Sequence, residues 1–313
     1  LFKMGLGNRI GFKMRADKTT HEMFQPMYGS IVLEMVSDSP AGEILGETTK
    51  EYVFEACGEK LDMAQLQEIW EGKLEPVYPY RKAGPTVEKI NGKLTAPAAP
   101  KIGVAKPKVI IPVFPGTNCE YDTAKAFARA GADPEILVIR NLTPADVAES
   151  CKALVKAIDN SQIVMLPGGF SGGDEPDGSA KFIASFFRSP AVTEAVRDLL
   201  QHRDGLMLGI CNGFQALIKL GLVPYGDIRP ITACDPTLTF NTIGRHQSML
   251  VHTRVASTGS PWLSKCEVGE MHTIAISHGE GRFVAPQEVL DTMLRNGQVA
   301  TQYVDLTGVP TMD

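Results

Sequence analysis

The 313 residues carry 31 Lys and Arg against 36 Asp and Glu, a net charge of −5, with 43% hydrophobic residues. An acidic chain without a basic face does not suit duplex nucleic acid, and its length allows two folding units, each with a core of its own. Neither an apolar run of roughly 18 residues nor a basic-then-apolar leader occurs, so no membrane span or secretory signal is expected; six cysteines without a C-x-x-C pair argue for reduced, cytoplasmic thiols rather than a disulfide or zinc framework.

Residues 1–80 form a first segment, with strands predicted at 10–14, 30–35 and 52–56 and a helix from 63 to 70 capped by Asp62. From 81 to 107 four prolines among Gly, Ala and Lys read as a linker. Over 108–313 strands and helices alternate: strands at 108–114, 136–139, 162–166 and 206–208, and helices at 121–130, 144–158 and 179–201. Ala124, Phe127 and Ala128 are expected to face inward from the first of these helices. Such alternation predicts an α/β fold, a parallel sheet with helices on both faces and ligands outside the carboxyl ends of its strands. Strand-like runs at 237–240, 248–254, 274–276 and 298–304 are expected to extend that sheet or to build a small lobe over the site.

The last of the four strands runs into Gly209-Ile-Cys-Asn-Gly-Phe-Gln215, and Phe214, Leu217 and Ile218 then recur at helical spacing. A strand that turns this sharply into a helix needs small flanking residues, which Gly209 and Gly213 supply. Cys211 then stands at the helix mouth, at the positive end of the macrodipole, and the thiolate is the attacking species of a cysteine nucleophile. The backbone N–H of Asn212 is a candidate oxyanion donor.

Pro167-Gly-Gly-Phe-Ser-Gly-Gly-Asp174 follows the third of these strands. A phosphate cradle there is disfavoured, because the Lys of a phosphate loop is absent and Asp174, Glu175 and Asp177 would repel an anion. The Gly168/Gly169 pair is instead expected to supply an oxyanion donor facing the elbow. Cys119, in Asn118-Cys119-Glu120 at the end of the first strand, is a rival nucleophile without an elbow. In Ser277-His-Gly-Glu-Gly281 an imidazole stands two residues before a carboxylate, a pair able to serve as base and orienter or to line a pocket. His246, His252 and His272 lack ligand spacing to one another, and no metal is expected.

Together these motifs, with Phe114-Pro-Gly-Thr-Asn-Cys-Glu120 and Ser277-His-Gly-Glu-Gly-Arg-Phe283, resemble a class I glutamine amidotransferase domain, with its flavodoxin-like sheet. Within that class they look like the glutaminase portion of the phosphoribosylformylglycinamidine synthase family of purine biosynthesis. The resemblance covers 108–313; residues 1–80, ending in Trp70-Glu-Gly-Lys-Leu-Glu-Pro-Val-Tyr-Pro-Tyr80, are similar to the small α+β tail of that family's synthetase portion in its long single-chain form. It implies that Cys211 attacks the side-chain amide of glutamine, with Gly169 and Asn212 as oxyanion donors and Gly168, Gln215, Ser277, His278 and Gly279 lining the glutamine pocket. Ammonia would pass to the synthetase portion, where ATP and Mg²⁺ belong; no cofactor is implied within the 313 residues. The catalytic His and Glu of class I domains come from a His-Pro-Glu motif, and none of the six histidines here is followed by Pro-Glu, so the chain is expected to be an impaired fragment. Two other readings share these motifs: an elbow-cysteine hydrolase or redox-sensing protein of the same superfold, and a non-catalytic docking module.

Overall fold

The computed structural model describes residues 1–15, 18–37, 42–79, 87–92, 103–170 and 180–311, which fall into two compact units, Leu1–Lys82 and Ala83–Asp313. In the first, α1 (Phe2–Leu6), β1 (Gly11–Met14), α2 (Thr20–Met23), β2 (Gly46–Thr49), β3 (Val53–Ala56), β4 (Glu59–Asp62) and α3 (Met63–Gly72) follow in order. The strands form a sheet in the order β2-β1-β3-β4, with β1 and β3 parallel and the outer pairs antiparallel. Asp62 caps α3 by accepting from the N–H groups of Ala64 and Gln65. The strand expected at 30–35 does not form among the described residues. Ile31, Leu33 and Met35 stay exposed and pair with no strand, and alternation without a face to bury does not make one.

The second unit is built on β5 (Lys108–Val113), α4 (Glu120–Arg129), β6 (Asp133–Val138), α5 (Pro144–Asp159), β7 (Ile163–Leu166), α6 (Lys181–Phe187), α7 (Pro190–Arg197), β8 (Leu206–Gly209) and α8 (Asn212–Leu220). Its sheet runs β6-β5-β7-β8, all parallel. Alternate residues of β5 point to opposite faces. Ile110 packs with Leu154, Ile158, Phe187 and Leu217 from α5, α6 and α8, whereas Val109 and Ile111 pack with Ala124 and Phe127 of α4. Ala128, expected inward, is exposed; the buried stripe of α4 is narrower than its run of alanines suggests. The single helix expected over 179–201 is broken at Ser189-Pro190, where proline has no N–H to continue the ladder.

The C-terminal strands do not join the parallel sheet. After a short α9 (Leu222–Tyr225), β9 (Thr237–Thr239), β10 (Gln247–Val255), β11 (Met271–His278), β12 (Arg282–Val284), α10 (Gln287–Arg295) and β13 (Thr301–Val304) build a separate lobe. It contains one antiparallel sheet, β11-β10-β13, and the pair β12-β9. Part of the stretch expected as a linker is docked on this lobe. Buried Arg254 donates to the carbonyl of Ile90 (2.9 Å) and to Asn91 Oδ1 (2.5 Å), and Gln302 bonds both Glu88 O and Ile90 N.

Candidate active site

Three loops converge outside the carboxyl ends of β5, β7 and β8. The order β6-β5-β7-β8 reverses direction at β5, and such a switch point opens a crevice. The loops after β5 and β7 are stitched by an antiparallel bridge between Thr117 and Gly169, in which Asn118 N donates to Gly168 O (3.3 Å) and Phe170 N to Gly116 O (2.8 Å). Gly169 sits at φ +137°, and a Cβ there would come within 2.8 Å of Thr117 Cα; only glycine lets the two loops meet. The bridge uses the N–H groups of Asn118 and Phe170, not that of Gly169.

The elbow has the geometry its glycines imply. Cys211 has φ +53° and ψ −115°, a left-handed conformation costing a side-chain-bearing residue about 1–3 kcal/mol. The surroundings hold it there. Ile210 N donates to Leu166 O (3.1 Å), Gly213 N to Ile210 O (2.9 Å) and Gln215 N to Cys211 O (3.0 Å), closing the turn onto the first turn of α8. A Cβ on Gly213 would collide with the carbonyl of Leu166, so α8 starts hard against β7 only because residue 213 has no side chain. The result is an exposed thiol on a strained residue at a helix N-terminus.

Gly168, buried beside it, separates two thiols. A Cβ at this position would lie 3.2 Å from Cys211 Cβ and 3.4 Å from Cys119 Sγ. The rival nucleophile therefore belongs to the same crevice. Burial pushes the Cys119 thiol up, and Cys211, Asp122 and Glu120 act in the same sense against a hydrogen bond from the Gly168 backbone. Its thiol points to Asn118 Oδ1 at 3.1 Å. Of the two sulfurs, only Cys211 has the elbow.

The turn between β11 and β12 forms the other wall. Gln215 accepts from Asn212 Nδ2 (3.1 Å) and donates through Nε2 to the carbonyl of Glu280 (3.2 Å), joining α8 to Ser277–Gly281. His278 is half-buried, and burial together with neighbouring His246 lowers its pKa below the usual imidazole value. His246 Nε2 lies 2.9 Å from Ser277 Oγ. Among the described residues no hydrogen bond joins the Cys211 thiol to an imidazole or a carboxylate.

Sequence reasoning missed Asn241, two residues beyond β9 and buried, which holds this turn together (below). It also missed Cys266, Glu270 and His272, whose ligand atoms lie within 4.8 Å of one another near the end of β11 remote from His278. The site loops 114–119, 167–170 and 209–215 contain no Lys or Arg. Among the described residues no helix is long and apolar enough to cross a membrane.

A family profile described as a CobB/CobQ-like glutamine amidotransferase domain matches residues 106–313. The chain is 35% identical over 203 residues to phosphoribosylformylglycinamidine synthase subunit PurQ of Aquifex aeolicus, covering 64% of this chain and 75% of that one. It is 36% identical over 215 residues to the PurQ of Mycolicibacterium paratuberculosis, covering 66% and 82%. A solved structure of PurLQS from Thermotoga maritima is 25% identical, with a TM-score of 0.45, over 64% of this chain and 76% of that chain. The chain therefore belongs to the CobB/CobQ-like glutamine amidotransferase family and, within it, to the glutamine amidotransferases of phosphoribosylformylglycinamidine synthase in purine biosynthesis.

Proposed function

We propose that Cys211 hydrolyses glutamine through a glutamyl thioester. The sulfur attacks the side-chain amide carbon, and the carbonyl electron pair moves onto oxygen. The backbone N–H groups of Gly169 and Asn212 receive that oxyanion as it forms. Collapse expels the nitrogen, which takes up the proton given up by the attacking thiol and leaves as ammonia. Water then opens the thioester to glutamate and restores the thiol. The observation that carries this reading is the strained φ of Cys211 at the tip of β8, beside the bridged Gly168-Gly169 loop.

Gly168, Gln215, Ser277, His278 and Gly279 line the glutamine pocket in this reading. The Gln215–Glu280 bond supports it by setting the turn against the elbow helix. Expulsion of ammonia needs a proton donor; His278 has Nδ1 engaged by Asn241, and we assign it to the pocket rather than to that role. With no His-Pro-Glu among its residues to hand over that proton or to activate water, the chain is proposed to be impaired in both steps. The relatives are named as subunits of phosphoribosylformylglycinamidine synthase, and we extend that assembly to this chain. Its ammonia would serve a synthetase component, of which residues 1–80 are the proposed tail. ATP and Mg²⁺ belong to the amidine-forming step there, whereas the release of ammonia from glutamine by water needs neither.

The test is labelling with the diazo-ketone analogue of glutamine. Modification confined to Cys211 and blocked by free glutamine is expected. Labelling that glutamine does not block, or that only peroxide or peptide electrophiles achieve, would overturn the reading in favour of a hydrolase or redox sensor.

A further inference from the structure

Asn241 gives three of the four hydrogen bonds of its amide to the turn that faces the elbow. Its Nδ2 donates to the carbonyls of Arg245 (3.0 Å) and His278 (2.8 Å). Its Oδ1 accepts from His278 Nδ1 (2.9 Å) and from Gly281 N (3.3 Å). Its backbone N–H donates to Gly279 O at 2.8 Å. The residue is 8% exposed, so water does not supply these bonds in their place.

The network has one consistent assignment of hydrogens. Two carbonyls fix the amide nitrogen, which leaves the amide oxygen as an acceptor and makes His278 Nδ1 a donor. With the imidazole neutral, Nε2 is then its acceptor. The ring also lies flat over Gly281, where any Cβ would collide with it. Backbone on one side and an amide on the other thus hold the ring in one orientation and one tautomer. Through Glu280 O the same turn is bonded to Gln215 on the elbow helix.

We propose that Asn241 is a positioning residue for glutamine recognition, locking the Ser277–Gly281 turn against the elbow helix and fixing His278 as the Nδ1–H tautomer. This rests on the reading of that turn as the glutamine pocket. Asn241 sits two residues beyond β9, bonded to the turn rather than placed on the nucleophile, so its effect falls on ligand affinity and not on the reactivity of the thiol.

Two measurements test it. In the unaltered chain, nitrogen NMR of isotopically labelled histidine is expected to show His278 with a protonated Nδ1 and an unprotonated Nε2; the reverse tautomer would overturn the proposal, with no variant needed. In Asn241→Ala and in the size-matched Asn241→Asp, the concentration of the diazo-ketone analogue that half-saturates labelling of Cys211 is expected to rise by about tenfold or more. Alkylation of Cys211 by iodoacetamide, which needs no pocket, is expected to change by less than about twofold. Unchanged half-saturation in either folded variant would overturn the proposal. Failure of the unaltered chain to label at Cys211 would instead overturn the glutaminase reading on which it rests.

Discussion

Gln215 Nε2 donates to the backbone carbonyl of Glu280 at 3.2 Å, across 65 residues of sequence, and so joins the helix that carries the nucleophile to the turn that carries His278. Replacing Gln215 with Ala removes that tie and the bond that Gln215 Oε1 accepts from Asn212 Nδ2. The glutamine analogue is expected to bind about tenfold more weakly, equivalent to about 1.4 kcal/mol. Iodoacetamide is expected to alkylate Cys211 at nearly the same rate. Saturation labelling read by intact mass compares the two.

The elbow depends on the missing side chain at residue 213. Gly213→Ala drives a methyl group into the carbonyl of Leu166, and α8 has to move off the sheet to accept it. A loss of about 1–3 kcal/mol or more is expected, because overpacking against backbone relaxes poorly. Denaturant melts of the wild type and the variant measure it. Labelling should fall together with stability, since the same shift displaces Cys211.

The two thiols of the crevice are separable. Cys119→Ser keeps the elbow and is expected to retain labelling at Cys211, whereas Cys211→Ser abolishes it. Peptide mapping of each labelled variant distinguishes them. Migration of the label to Cys119 in the wild type would reverse their roles.

Acid is expected to destabilise the turn. His278 has a pKa lowered by burial and by His246, so the unfolded chain, with its imidazole near about 6.5, takes up a proton that the folded chain refuses. This contribution to stability is present above about pH 6.5 and is lost as the pH falls through the lowered value. Thermal melts from about pH 7.5 down to about pH 5 should fall more steeply for the wild type than for His278→Gln.

Arg254 is charged, 6% exposed, and donates to Ile90 O and Asn91 Oδ1. Arg254→Met keeps the bulk and removes the donors. A loss of about 2 kcal/mol is expected from hydrogen bonds of this charged kind. Amide exchange should rise at residues 88–92 and remain slow in the parallel sheet.

The parts of this fold legible in the sequence are those whose cause is local. Val109-Ile-Ile111 and Val164-Met-Leu166 are apolar runs of strand length, and strands buried on both faces read that way. The turn at Cys211 is legible because each flanking glycine answers a steric need a few residues away. The antiparallel lobe, by contrast, shows its strands but not their partners. Nothing near Ile274 indicates whether it joins β8 or β10.

What stayed hidden depends on distant partners. Asn241 stands in an unremarkable Phe-Asn-Thr, and the groups that make it a hub belong to a turn 37 to 40 residues later. Residues 88–92 read as linker from the prolines on either side of them, because the side chains that hold them, Arg254 and Gln302, lie more than 160 residues away. The expected strand at 30–35 failed for the opposite reason. Its alternation is genuine, but no edge among the described residues receives it.

In the proposed reaction Cys211 carries the glutamyl group. Acid quenching of the chain mixed with glutamine, followed by intact-mass and peptide analysis, tests this most directly. A glutamyl adduct on Cys211 that hydroxylamine removes and that is absent from Cys211→Ser is expected. A glutamyl adduct on Cys119, or ammonia release from glutamine that persists in Cys211→Ser, would contradict it.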